Sequence, residues 1–144
     1  MIKIICVGSL KEQYLKDLVN DYHKRINKYH KLEIIEVKDS DILEEGNLIL
    51  KNIKQNEYII CLSINGKDYD TLSFTDTIDK TMQINSNITF VIGGSNGISN
   101  KVIERSDKQI SFSKLTFPHG LFRGILIEQI YRSFKILNNE SYHK

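Results

Sequence analysis

Residues that could build a binding site from main chain crowd toward the C-terminal end of this 144-residue sequence. Five of the eight glycines lie between residues 93 and 124, and the only proline, Pro118, lies among them. The segment Gly93-Gly94-Ser95-Asn96-Gly97 directly follows an apolar run at 88–92. Glycine allows a sharp turn or a close approach of the backbone to a ligand. This pattern is typical of a nucleotide-like ligand bound at the carboxyl end of a parallel strand.

The glycine turn does not match the usual phosphate-binding motifs. The GxxxxGK[ST] motif requires a lysine that the turn lacks. Ser95 stands where the dinucleotide motif GxGxxG has its second glycine. We therefore expect a nucleoside-like ligand without phosphates. The alternative is a tight turn with a purely structural role.

A second group of residues that could do chemistry lies near the C-terminus, namely Arg132, Tyr142, His143 and Lys144. Glu128 precedes Arg132 by four residues, the spacing of an ordinary helical ion pair. Chain ends usually fray, so composition alone gives the last three residues no role. His119, next to Pro118 at a helix start, could bind ligand or simply hydrogen-bond locally. No Ser-His-Asp or metal-ligand spacing appears, so no metal is expected.

Alternating strand-like and helix-like segments predict the framework that positions these groups. Strands are expected at 2–7, 32–37, 57–64, 88–92 and 109–112, the third closed by the turn signal Asn65-Gly66. Helices are expected at 11–29, 41–53, 73–83, 99–106 and 118–137, with Pro118 in the first turn of the last. This order predicts one α/β domain, 1–144, whose mostly parallel sheet carries helices on both faces.

The composition is that of a globular protein, with 40% hydrophobic and 26% charged residues. No apolar run approaches the roughly 20 residues that cross a bilayer, and the opening apolar segment is too short for a signal peptide. We therefore expect a cytoplasmic protein with no membrane contact. Cys6 and Cys61 each lie in an apolar run, which favours buried structural thiols over a redox or metal role.

The charge is distributed unevenly along the chain. Residues 1–100 carry 12 Lys and Arg against 14 Asp and Glu, a balance of −2. Residues 101–144 carry 8 against 4, a balance of +4. Such asymmetry can attract a polyanion, although basic helix faces are often merely solvated.

Several separated motifs together resemble the RlmH family, SPOUT-class methyltransferases that act on large-subunit ribosomal RNA. The motifs lie at 64–67, 90–97, 113–119, 123–132 and 142–144, and the resemblance spans the whole chain. The chain departs from the family pattern at three positions. Ser141 replaces proline or another small residue, Phe112 replaces leucine, and Lys144 replaces the arginine of some members. Lysine lacks the bidentate phosphate contact of arginine.

The resemblance implies a deep trefoil knot in the C-terminal part, with the knot and the cofactor site in about 88–137 and a functional tail at 138–144. It also implies a homodimer that binds S-adenosylmethionine in the knot. The cofactor contacts that it carries over are Leu62, Gly93, Phe112, Ser113, Lys114, Leu115, Thr116 and Phe117.

The substrate implied by the resemblance is a pseudouridine in the helix 69 loop of 23S rRNA, methylated at N3 on the assembled ribosome. His143 is then expected to accept or orient a proton, and Tyr142 to hydrogen-bond or stack. Arg132 and Lys144 are expected near the developing anion or RNA phosphates, with the tail acting across the dimer. Two alternatives are an inactive knotted module that binds RNA or ribosomes, and a nucleoside-binding metabolic protein.

Overall fold

Five strands and five helices alternate along the chain in the computed structural model, which describes residues 1–144. The strands are β1 (Ile2–Val7), β2 (Leu32–Val37), β3 (Tyr58–Asp68), β4 (Ile88–Ile92) and β5 (Lys108–Ser111). The helices are α1 (Gln13–Ile26), α2 (Ile42–Lys51), α3 (Thr71–Ile84), α4 (Asn100–Arg105) and α5 (His119–Leu137). The sheet has the order β2-β1-β4-β3-β5, and its neighbouring strands are all parallel. The α/β prediction is confirmed.

Apolar side chains pack on both faces of the sheet, because successive residues of a strand point to opposite sides. In β1, Ile2, Ile4 and Cys6 join a large core that includes residues of α1, α3 and α5. Ile5 and Val7 join a smaller core that includes residues of α2 and α4. Helices therefore cover both faces, as predicted. None of the helices has the length and apolar character required to span a bilayer.

Side-chain capping marks the starts of α2 and α3. Asp41 caps α2 by accepting a hydrogen bond from a main-chain N–H of its first turn. Asp70 and Ser73 form a reciprocal capping box at the start of α3, two residues before the predicted start. Pro118 occupies the N-cap position of α5 with an extended ψ of 141°. It therefore lies just before the helix, which corrects its predicted place in the first turn.

β3 does not end at Asn65-Gly66, where the sequence predicts a closing turn. Leu62 and Lys67 both lie opposite Ile110 of β5, so residues 63–66 bulge out of the pairing and the strand then resumes. A Cβ on Gly66 would lie 2.7 Å from main-chain atoms of β5. The Asn-Gly signal therefore marks a bulge, which lets the two backbones come close.

Both cysteines are buried and unbonded in the interior of the sheet. Burial raises the pKa of the Cys6 thiol and of the Cys61 thiol to about 11 each. Both therefore stay neutral at physiological pH, as expected of structural thiols.

One buried ion pair stabilises the face of the sheet opposite the large core. The Lys3 ammonium lies 2.6 Å from a Glu57 carboxylate oxygen, and both side chains are less than a tenth exposed. The other Glu57 oxygen accepts a hydrogen bond of 3.0 Å from the Thr89 hydroxyl. The pair is thus held by further hydrogen bonds, as a buried pair requires.

We expect Glu57→Gln to lower the free energy of unfolding by about 3–5 kcal/mol, because it leaves the Lys3 charge buried without a counter-charge. Denaturant unfolding followed by circular dichroism measures this loss. The matched control is Asp76→Asn, which breaks the exposed pair with Lys80 on α3 and should change stability little. Equal losses in the two variants would contradict the prediction.

Candidate functional site

A pocket of about 680 Å³ opens at the carboxyl ends of β3, β4 and β5. Its walls are the bulge of β3, the glycine turn after β4 and the segment that follows β5. Its size is within the range of roughly 300–1,000 Å³ that small-molecule sites occupy. The pocket lies where ligands bind in open parallel sheets.

The glycine turn presents main chain to this pocket. Gly93 is buried, and a Cβ there would lie 2.4 Å from the carbonyl oxygen of Gly97. The Gly97 N–H donates to the Gly94 carbonyl at 3.0 Å. Gly97 has a φ of +85°, which side-chain-bearing residues rarely adopt. The close approach of the two ends of the turn therefore requires glycine at 93.

The segment after β5 is ordered by local hydrogen bonds and aromatic packing. The Ser111 hydroxyl donates to the Ser113 carbonyl at 3.1 Å, and the Leu115 N–H donates to the Ser113 hydroxyl at 2.9 Å. Phe112 packs edge-on against Phe122 of α5, with 5.5 Å between the ring centroids. These contacts fix a stretch of backbone along the pocket wall.

Most of the predicted cofactor residues come together here. The pocket is lined by Leu62, Gly93, Phe112, Ser113, Leu115, Thr116 and Phe117. Lys114 is the exception, since it is absent from the lining. Its ammonium lies 3.7 Å from the Asp68 carboxylate, and both side chains are exposed.

The lining contains no lysine, arginine, aspartate or glutamate. It therefore lacks the cations that clamp phosphate groups, and suits a phosphate-free ligand. His119, for which a local role was considered, lies in the lining, as do Ile64, Asn65 and Gln109. Sequence reasoning gave the last three no ligand role, although 64–67 is one of the family motifs. The Asn65-Gly66 signal, so close to Leu62, could have pointed to the first two.

Three of the four predicted catalytic residues gather around Glu128 of α5, forming what we call the tail cluster (Glu128, Arg132, Tyr142 and His143). The Arg132 guanidinium donates to one Glu128 oxygen at 2.7 and 2.9 Å. The Tyr142 hydroxyl donates to the same oxygen at 3.1 Å. Arg132 also lies 3.1 Å from Nδ1 of His143. The Glu128–Arg132 pairing expected from their spacing is thus observed.

These contacts assign the protons of the tail cluster. A guanidinium has only donors, so Nδ1 of His143 accepts from Arg132 and the neutral ring carries its proton on Nε2. The Tyr142 hydroxyl gives its one proton to Glu128, so the Tyr22 hydroxyl, 3.0 Å away, donates to Tyr142. Burial raises the pKa of Tyr142, as does its hydrogen bond with Tyr22. Tyr142 is therefore a neutral phenol at physiological pH.

The tail cluster is separate from the pocket within one chain. None of Arg132, Tyr142, His143 and Lys144 lines the pocket. Arg132 lies ten residues beyond the pocket residue Phe122 on α5, about 15 Å along the helix axis. Lys144 is exposed and makes no hydrogen bond or ion pair. A single chain therefore keeps the two groups of predicted site residues apart.

Comparison with known proteins gives matches to methyltransferases over almost the whole chain. The family described as "Predicted SPOUT methyltransferase" matches residues 1–143. The chain is 49% identical to Ribosomal RNA large subunit methyltransferase H of Clostridium tetani, over 99% of each chain. It is 47% identical to the protein of the same name from Enterococcus faecalis, again over 99% of each.

Solved structures with the same fold are more distant in sequence. A probable methylase family protein from Haemophilus influenzae matches with a TM-score of 0.58 and 11% identity, covering 99% of this chain and 70% of that one. A probable methyltransferase from Bordetella pertussis matches with a TM-score of 0.56 and 11% identity, covering 92% and 93%. Likeness at this identity concerns the fold alone.

Proposed function

The chain belongs to the SPOUT methyltransferase family, and we propose that it methylates large-subunit ribosomal RNA with S-adenosylmethionine as the methyl donor. We further propose that the target is N3 of a pseudouridine in the helix 69 loop of 23S rRNA, on the assembled ribosome in the cytoplasm. Relatives that are about half identical, align over 99% of each chain and are named ribosomal RNA methyltransferases support the activity. The observation that carries the proposal is the pocket without charged side chains, built around the glycine turn.

The residues present fit this methyl donor. Gly93 has no side chain to cover its main-chain groups. The 112–117 segment, which is ordered by local hydrogen bonds, offers backbone groups that can bind the edge of a nucleoside base. Leu62 and Phe112 supply apolar surface to the pocket lining. When bound, S-adenosylmethionine would supply a methyl group on a positively charged sulfonium. A lining without lysine or arginine avoids repelling that charge.

The tail cluster can prepare the acceptor nitrogen. An imide N3–H is a poor nucleophile until its proton leaves, here to water, so a positioned cation that stabilises the resulting anion helps. Arg132 can supply that charge, and Nε2–H of His143 can orient the base. Because Nδ1 already accepts from Arg132, the geometry supports an orienting role for His143 over proton acceptance. Tyr142 offers a neutral hydroxyl and ring, and Lys144 is free to contact RNA phosphate.

A homodimer can bring pocket and tail together. We propose that the tail of one protomer completes the pocket of its partner, since one chain keeps them apart. The C-terminal trefoil knot of the SPOUT class is part of this proposal. Alignment of the two reactants supplies much of the rate gain in such a transfer, so the dimer would be the functional unit.

Transfer of labelled methyl groups to ribosomes tests this function. We expect ribosomes from a strain that lacks the activity to be methylated, provided that the target uridine has already been isomerised. Ribosomes that retain uridine should accept little label. Binding of S-adenosylmethionine without any transfer would indicate the inactive RNA-binding module. Tighter calorimetric binding of another nucleoside would indicate the metabolic alternative.

A further inference from the structure

We propose that Tyr29, Lys135, Asn139 and Glu140 form a tail anchor, a set of positioning residues that holds Tyr142 and His143 in place for methyl transfer. The inference rests on the proposed function and deepens it. None of the four residues lines the pocket or belongs to the tail cluster. They would therefore act through the tail and not on the reactants.

The backbone of the anchor reverses the chain after α5. Asn139 has a φ of 54°, in the left-handed region that asparagine tolerates better than most residues. The Asn139 N–H donates to the Ile136 carbonyl at 3.1 Å, and the Glu140 N–H donates to the Lys135 carbonyl at 2.9 Å. These two bonds define a Schellman motif. The tail therefore turns back along α5 toward Arg132 and does not continue into solvent.

The side chain of Glu140 ties the reversed chain to α5 and to the turn that follows α1. One carboxylate oxygen accepts from the Tyr29 hydroxyl at 2.7 Å, and the other accepts from the Lys135 ammonium at 3.0 Å. Tyr29 follows α1, and its ring stacks on Phe134 of α5 with 5.7 Å between centroids. The hydrogen bonds from Tyr29 and Lys135 hold the pKa of Glu140 below its ordinary value. The carboxylate therefore stays charged at neutral pH.

The anchor lies next to the residues it would position. Only Ser141 separates Glu140 from Tyr142, and consecutive Cα atoms are about 3.8 Å apart. Ser141 is exposed and forms no hydrogen bond of its own. Fixing Glu140 therefore limits the space that Tyr142 and His143 can explore. A free chain end would lose that restriction.

We expect Glu140→Ala to lower kcat on ribosomes about tenfold, because small misplacements of a reacting group can cost up to about 10² in rate. KM for ribosomes and the Kd of S-adenosylmethionine should stay unchanged. Glu140→Gln should lose less, since its amide oxygen can still accept from Tyr29. Asp76→Asn, which removes an exposed carboxylate paired with lysine on α3, is the matched control and should leave kcat unchanged.

A second measurement follows the tail itself. We expect nuclear magnetic relaxation to show the amides of Tyr142 and His143 as ordered in the unaltered chain and mobile in Glu140→Ala. An ordered tail in that variant would overturn the anchor. A mobile tail with unchanged kcat would overturn its positioning role. Absence of transfer by the unaltered chain would instead refute the proposed function, while the relaxation data would still decide whether the anchor holds the tail.

Discussion

A chain that ends at Ser141 is expected to lose methyl transfer to ribosomes while it keeps its affinity for S-adenosylmethionine. Removal of the last three residues deletes Tyr142, His143 and Lys144, which we propose contact the target base and RNA. Loss of groups that orient the target base can cost about 10² in rate. Single-turnover transfer of labelled methyl groups to ribosomes measures the loss.

The affinity should survive because the pocket wall does not include the tail of the same chain. Calorimetric titration with S-adenosylmethionine checks this directly. Asp76→Asn, which breaks the exposed pair with Lys80 on α3, is the control and should retain its activity. A chain that ends at His143 lacks only the proposed phosphate contact of Lys144 and should lose less activity than the chain that ends at Ser141. Unchanged transfer by the chain ending at Ser141 would exclude a catalytic role for the tail.

The second large effect is expected at Gly93. In Gly93→Ala, the new Cβ would lie 2.4 Å from the Gly97 carbonyl oxygen and 2.8 Å from Ile98. Such a contact forces the turn to move, and overpacking of this kind costs roughly 1–3 kcal/mol. Because the turn lines the pocket, we expect its movement to lower the affinity for S-adenosylmethionine by about 10- to 100-fold. Calorimetry measures this change.

Gly120→Ala provides a matched glycine substitution outside the pocket. Its Cβ would meet only the flexible ends of Leu15 and Leu10, at 2.9 and 3.1 Å. Alanine also favours the helix in which residue 120 lies. This variant should therefore bind S-adenosylmethionine normally. Equal affinities in Gly93→Ala and the unaltered chain would show that the glycine turn does not hold the methyl donor.

The two variants can also be combined to test the dimer, at a concentration of S-adenosylmethionine that loads the unaltered pocket and leaves the Gly93→Ala pocket largely empty. A mixed dimer of the chain ending at Ser141 with Gly93→Ala contains one intact pocket and one intact tail, on different protomers. If the tail acts across the dimer, mixing restores transfer that neither variant shows alone. If the tail acts within its own chain, the mixture stays inactive.

Short-range signals in the sequence were enough to predict most of the framework. β1, β2 and β4 begin and end where the prediction places them. In β1 and β4 every residue is buried, and a central parallel strand is a mostly apolar run. Ser40 and Asp41 were both candidates to cap the helix predicted at 41–53, and the structure shows Asp41 as the cap of α2. The glycine turn after β4 was also predicted from local sequence, because a tight bend requires residues such as glycine. Its ligand residues, however, came from the family resemblance.

Contacts between distant residues were decided only by the tertiary structure. β3 runs past Asn65-Gly66 because its far end pairs with β5, which lies about 40 residues later in the chain. Tyr22 meets Tyr142 across 120 residues, and Tyr29 meets Glu140 across 111. No local pattern encodes such pairs, because they arise when α1 and α5 pack side by side on the sheet. The same contacts hold the tail next to Arg132, ten residues along α5 from the pocket residue Phe122.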